Sequence, residues 1–184
     1  QGFNSLIGRL PNEEGFIKSK SAYVALPEDK EKINTKLDID INYKLITEEK
    51  DLINWIQGIH LKGIVAVDTE TTSIDSVSAK LVGISLSFEP GNAVYIPLAH
   101  KSKEGGLIAE DIKQIDMKKV LSILKPILED PSIIKIGQNI KYDMTILQNA
   151  GNISIYPIHD TMLMSFVLDA GKHIGHGMDA LAKT

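Results

Sequence analysis

The triplet Asp68-Thr69-Glu70 ends the apolar run in GIVAVDTETTSID, residues 63–75. Two acids at i and i+2 share one side of an extended strand. Carboxylates are costly to desolvate, so such a pair is either the polar loop capping a strand or a grip for a cation. A second stretch, GQNIKYDMTIL over residues 137–147, sets Asn139, Tyr142 and Asp143 at the start of a helix. Asn139 reads as its N-cap, and Asp143 either projects toward the first pair or is a surface acid near the helix's positive pole. Three carboxylates without His or Cys suit hard, oxygen-seeking cations such as Mg²⁺ or Mn²⁺. Two such ions on a carboxylate cluster suit phosphodiester hydrolysis.

Other polar residues carry less. His173 and His176 in KHIGHGM lie among glycines with no third ligand type nearby, and a solvated loop is expected there. Asp160 opens a helix and reads as its cap. Lys101 and Lys103 flank a loop where they are solvated or touch phosphates. The glycines near residue 175 lack the Gly-Lys-Ser/Thr ending of a phosphate loop.

These residues need elements to hold them. YKLIT is a short strand, and Thr47 can cap a helix whose stripe is Leu52, Ile53, Ile56 and Ile59 with Trp55. GIVAVD is a buried central strand. KLVGISLSFE and AVYIPLA, joined by a turn at EPGN, make an antiparallel meander with it. IDMKKVLSILKPILED is an amphipathic helix with Val120, Leu121, Leu124, Ile127 and Leu128 inward. SIIKIG is another strand, NIKYDMTILQNAG a helix closed by Gly151, and DTMLMSFVLDAG a further helix. The class is α/β, a mixed sheet flanked by helices.

The chain has 184 residues, is 43% hydrophobic and contains no cysteine, which removes disulfide scaffolds and thiolate zinc sites. Its formal net charge of -4 argues against a module that holds DNA by phosphate neutralisation alone, but not against a metal-dependent nuclease. No apolar run approaches the roughly 20 residues of a membrane span, and no secretory signal is present. Residues 1–41 are charged, with little periodicity, and read as a linker. Gln1 at the start and the unstopped DALAKT at the finish suggest a piece of a longer protein.

Taken together, GIVAVDTETTSID, KLVGISLSFEPGNAVYIPLAH, KIGQNIKYDMTIL and HDTMLMSFVLD resemble the 3′–5′ exonuclease domain of bacterial DNA polymerase I. That family belongs to the DEDD exonucleases, with a ribonuclease H-like fold. The resemblance runs from about Tyr43 to the end, and residues 1–41 resemble the connector after a 5′-nuclease domain. It implies a proofreading exonuclease that removes 5′-mononucleotides from single-stranded 3′ ends of DNA with two divalent ions, Mg²⁺ or Mn²⁺. Asp68 would bridge both metals, Glu70 would hold the water-activating one and Asp143 the other. Thr71, Ile74, Asn139 and Tyr142 would line the strand's track. It further implies a polymerase domain in the same parent chain and a bacterial cytoplasmic, nucleoid-associated location. The family's third motif, Tyr-x-x-x-Asp, comes from a later helix and no upstream Tyr-x-x-x-Asp can substitute for it, so residues 42–184 are expected to be a domain truncated at its C-terminal end and weakly active or inactive alone. The rival readings are a non-catalytic structural or single-strand-binding domain and a ribonuclease D-like exoribonuclease.

Overall fold

The computed structural model describes residues 40–101, 113–170 and 175–182. The linker expected over residues 1–41 lies outside them except for Asp40 and Ile41, as do Lys103 and His173. Strand β1 (Asn42–Leu45) leads into helix α1 (Glu49–Lys62), where Leu52, Ile56 and Ile59 are buried at amphipathic spacing. Each such burial contributes roughly 1.5–3 kcal/mol. Ile53, expected in that stripe, is 44% exposed, since it is turned about 100° from Leu52. Thr47 does not cap the helix. Glu48 holds the cap position without a side-chain cap bond, and its carboxylate accepts from Lys113 at 2.7 Å instead. Gly63 closes α1 with φ of 66°, a left-handed conformation natural to glycine.

Strands β2 (Ile64–Thr71), β3 (Leu81–Glu89) and β4 (Asn92–Pro97) form the antiparallel meander. Helix α2 (Met117–Leu128) buries the five residues its pattern selects, and Asp116 caps it by accepting from the Lys119 N–H at 3.1 Å. Strand β5 (Ile134–Gly137) runs parallel to β2, and helix α3 (Lys141–Gly151) follows it. Two end assignments of α3 change. Ile140, not Asn139, holds the N-cap position, and Asn152 in a left-handed conformation, not Gly151, closes the helix.

A sixth strand, β6 (Ile158–Asp160), has no counterpart in the pattern reading because three residues carry no legible alternation. It pairs parallel with β5, giving the order β1-β4-β3-β2-β5-β6 with β1 parallel to β4. Helices α4 (Thr161–Leu168) and α5 (Met178–Leu181) end the described chain.

Helices α1 and α3 pack on β2 and β3. Toward them the sheet turns Val65, Val67, Thr69, Ile84, Leu86, Val94 and Ile96, all buried. The other face carries Asp68 and Glu70, which are exposed, and Ser85, Ser87 and Tyr95, which are half-buried. Lys135 on β5 is wholly enclosed on the core side. Its Nζ donates to the carbonyls of Asp130 at 2.6 Å, Ile133 at 2.8 Å and Tyr156 at 2.5 Å. Burial holds its pKa below the usual lysine range, with the Asp130 charge opposing that shift.

Candidate active site

Alternation along β2 decides what each residue of the triplet can reach. Asp68 and Glu70 point off the open face, while Thr69 between them turns toward α3. There the Asp143 carboxylate, 3% exposed, accepts from the Thr69 N–H at 2.9 Å and from Thr69 Oγ1 at 2.6 Å. Both bonds end on Oδ1 of Asp143. The three acids therefore approach the end of β2 from two sides of the sheet. Burial pushes the Asp143 carboxyl up, the Thr69 hydroxyl opposes this, and the Asp68 charge adds to the rise. Burial also raises Asp68, followed by the charge of Glu70.

Asp68 and Glu70 lie on the open face, and Asp143 lies behind Thr69. Among the described residues no three His, Cys, Asp or Glu side chains are grouped closely enough to share a metal. Thr69 engages Oδ1 of Asp143 alone.

The turn after β2 is fastened to α3 by Tyr142. Its hydroxyl lies 2.5 Å from Thr71 Oγ1 and donates to the Ser73 carbonyl at 2.5 Å. Ile74 follows on this turn and is 98% exposed. Asn139, expected as a cap, instead has φ of 56° and makes the bend between β5 and α3. The capping role falls to Asp160 at the end of β6. Its carboxylate accepts from the N–H groups of Asn139 at 3.1 Å, Ile140 at 3.0 Å, Met162 at 2.9 Å and Leu163 at 3.2 Å. One acid thus caps α4, as its sequence position predicts, and also secures the entry to α3.

These elements enclose a cleft of about 570 Å³ lined by Thr69, Glu70, Thr71, Thr72, Ser73, Ile74, Asn139 and Tyr142. It gathers Glu70, Thr71, Ile74, Asn139 and Tyr142 into one space, while Asp68 lies on the adjoining open face and Asp143 behind Thr69. Within the bend, Asn139 Oδ1 is buried with no hydrogen-bond partner.

His176 is not the solvated loop residue expected. Its Nδ1 lies 2.9 Å from Ser165 Oγ, its carbonyl accepts from Gln138 Nε2 at 2.8 Å, and its ring meets Phe166 edge-on. Helix α4 supplies both the hydroxyl and the ring that draw it in. Lys101 is exposed. Residue reading passed over Tyr95, whose hydroxyl lies 2.6 Å from His100 Nε2 on the face that carries Glu70. The signal for it was Gly83, since a lone glycine inside a strand marks a close approach.

A model of the 3′–5′ exonuclease family matches residues 43–184. The DNA polymerase I of Rhizobium leguminosarum is 41% identical over 152 residues, covering 77% of this chain and 15% of that protein. The chain therefore spans about 15% of the length of that relative. Among solved structures, Escherichia coli RNase D, an exoribonuclease, shares the fold with a TM-score of 0.57 at 22% identity, covering 78% of this chain and 33% of that one. Brucella melitensis NrnC with bound Mg²⁺ aligns with a TM-score of 0.54 at 19% identity, covering 79% of this chain and 61% of that one. At these identities the two structures speak to the architecture, a mixed sheet flanked by helices.

Proposed function

Because the chain belongs to the family of 3′–5′ exonuclease domains found in DNA polymerase I, we propose that residues 42–184 belong to a domain that hydrolyses the 3′-terminal phosphodiester of DNA within a longer protein and is weakly active or inactive alone. Residues 1–41 are then the connector from a preceding 5′-nuclease domain. The observation that carries this reading is the cleft. A pocket with Glu70 on one wall and Tyr142 and Ile74 beside it joins an acid to the two kinds of surface that a terminal nucleotide needs.

Asp68, Glu70 and Asp143 would hold two divalent cations, Mg²⁺ or Mn²⁺. The donor set fits, since all three offer hard carboxylate oxygens and none makes an ion pair with Lys or Arg among the described residues. Bound there, such ions supply water activation and charge compensation on the leaving oxygen. Water adds to phosphorus, the bond to the 3′ oxygen breaks, and the nucleotide departs with its 5′ phosphate.

The chain's own residues orient that nucleotide. Bonds to Thr71 and Ser73 fix the ring plane of Tyr142, which suits stacking or sugar contact along a single strand. Exposed Ile74 offers an apolar wedge against the terminal bases, and Thr71 and Asn139 supply polar contacts beside it. The partners are a single-stranded 3′ end, a 5′-mononucleotide product and a polymerase domain in the same longer polypeptide. No helix among the described residues is long and apolar enough to cross a membrane, and a site of action beside the bacterial chromosome follows from the substrate.

The test is degradation of 3′-labelled single strands by this chain and by the same chain extended to its relatives' length. The expected product is a 5′-mononucleotide, released by the extended chain from DNA faster than from RNA and abolished there by Asp68→Ala, with little or none from this chain alone. RNA preference would move the reading to an exoribonuclease. Binding of both strands without hydrolysis in the extended protein would move it to a non-catalytic domain.

A further inference from the structure

The open face of the sheet carries a second polar group that the proposed reaction has not used. In the sheet register Glu70 on β2 lies opposite Gly83 on β3, and Asp68 lies opposite Ser85, which in turn faces Tyr95 on β4. Tyr95 does not stand straight out from its own row. A Cβ built on Gly83 would fall 2.0 Å from the Tyr95 hydroxyl oxygen and 2.4 Å from Cζ. The phenol tip therefore occupies the place of the side chain that Gly83 lacks. Directly opposed side chains in an antiparallel pair have Cβ atoms about 4.5–5.5 Å apart. The Tyr95 hydroxyl is thus the cross-strand neighbour of Glu70, delivered from one strand further away.

That hydroxyl is held from behind. His100 Nε2 lies 2.6 Å from it. His100 is itself clamped, its N–H donating to Gln114 Oε1 at 2.8 Å and its carbonyl accepting from Gln114 Nε2 at 3.0 Å.

We propose that Tyr95, braced by His100, is a positioning residue for Glu70, donating its hydroxyl hydrogen to that carboxylate while the carboxylate faces a divalent cation. This rests on the reading of Asp68, Glu70 and Asp143 as the cation-binding acids. It requires the His100 Nε2–H to donate to the phenol oxygen, which leaves the phenol hydrogen to point toward Glu70. A carboxylate fixed this way presents its other oxygen to the ion at a lower ordering cost. Losing such an outer partner commonly weakens metal binding on the order of 10-fold.

The experiment is Mn²⁺ titration of the full chain, read by the electron paramagnetic resonance signal of unbound Mn²⁺, which needs no turnover. Tyr95→Phe removes one oxygen and should weaken Mn²⁺ binding on the order of 10-fold while the metal-free chain still melts cooperatively. Gly83→Ala, which pushes the phenol aside without altering it, should do the same. Tyr95→Phe combined with Glu70→Gln should bind no worse than Glu70→Gln alone. His100→Ala, which keeps the phenol but removes its brace, gives a second route to the loss should Tyr95→Phe disturb folding. If Glu70→Gln abolishes binding while Tyr95→Phe, Gly83→Ala and His100→Ala leave it intact, the positioning role is refuted and the metal site stands. Additive losses in the double variant refute it as well. If Glu70→Gln leaves Mn²⁺ binding unchanged, the cation-site reading fails first and takes this role with it.

Discussion

Replacing Asp160 by alanine should unfasten two helices at once. Its carboxylate accepts four backbone N–H groups, two at the bend leading to α3 and two in the first turn of α4. The α4 pair sits at a partly exposed helix start where water can substitute, so its loss resembles an ordinary cap deletion of about 1 kcal/mol. The other pair is worse placed. Ile140 is 1% exposed, and its N–H would be left buried without an acceptor, at about 1–3 kcal/mol. Together the change should cost about 3 kcal/mol, or a fall near 10 °C in Tm for a unit of this size. Asp160→Asn keeps one acceptor oxygen but turns an NH₂ group toward N–H donors, so it should recover no more than half the loss. Thermal melts followed by circular dichroism measure the total. Amide exchange locates it, with Asn139 and Ile140 opening before the core strands. A melting temperature for Asp160→Ala within 2 °C of wild type would refute the double-cap account, as would equal damage from Asp179→Ala on exposed α5.

The two raised acids predict an inverted pH response. Asp68 and Asp143 titrate above the ordinary carboxylate range in the folded chain, so their stabilising contribution is fully present below the unfolded pKa near 4 and is lost as pH rises through the folded value. Asp143→Asn should therefore gain on wild type in metal-free melts as pH increases, and a gap that shrinks with pH would contradict burial as the dominant cause. Divalent ions should reverse the penalty, with Mn²⁺ at a hundredfold excess over Kd adding about 2.7 kcal/mol and Asp68→Ala removing most of that gain in calorimetry. Tyr142→Phe deletes the hydroxyl that ties α3 to Thr71 and Ser73, and should cost about 1–2 kcal/mol. Nucleotide titrations of that variant should show weaker binding, with amide shifts in residues 71–74 reduced.

What the chain discloses before folding depends on how far apart the interacting residues lie. The i, i+2 spacing of Asp68 and Glu70 is local, and it placed both acids on one side of β2, where the structure has them exposed. Helix α2 announced itself through five apolar residues within one short window. Asp160 was legible as the cap of α4 because its partners are two and three residues away. Its bonds to Asn139 and Ile140 cross 21 and 20 residues, and no local pattern reports them. For the same reason Asn139 looked like a cap: a polar residue before a helix fits that role until a distant carboxylate takes it over. Thr69 carries no local signal of its own, yet its inward direction makes it the residue that receives Asp143, 74 positions away. Tyr95 was hidden by the pleat, which assigns it to the row of Asp68 and cannot show a ring leaning one row along.

The enclosed ammonium of Lys135 turns the protein into its own chemical clock. An amine-reactive anhydride modifies exposed lysines such as Lys44 and Lys141 quickly, whereas Nζ of Lys135 is shut in by three carbonyls. It reacts only when the stretch around β5 opens, and an adduct formed there blocks reclosure. The strand that must open runs, one residue on, into Asn139 at the cleft. The rate at which Lys135 acquires label, read by mass spectrometry against Lys44 and Lys141, therefore counts how often the wall of the cleft comes apart.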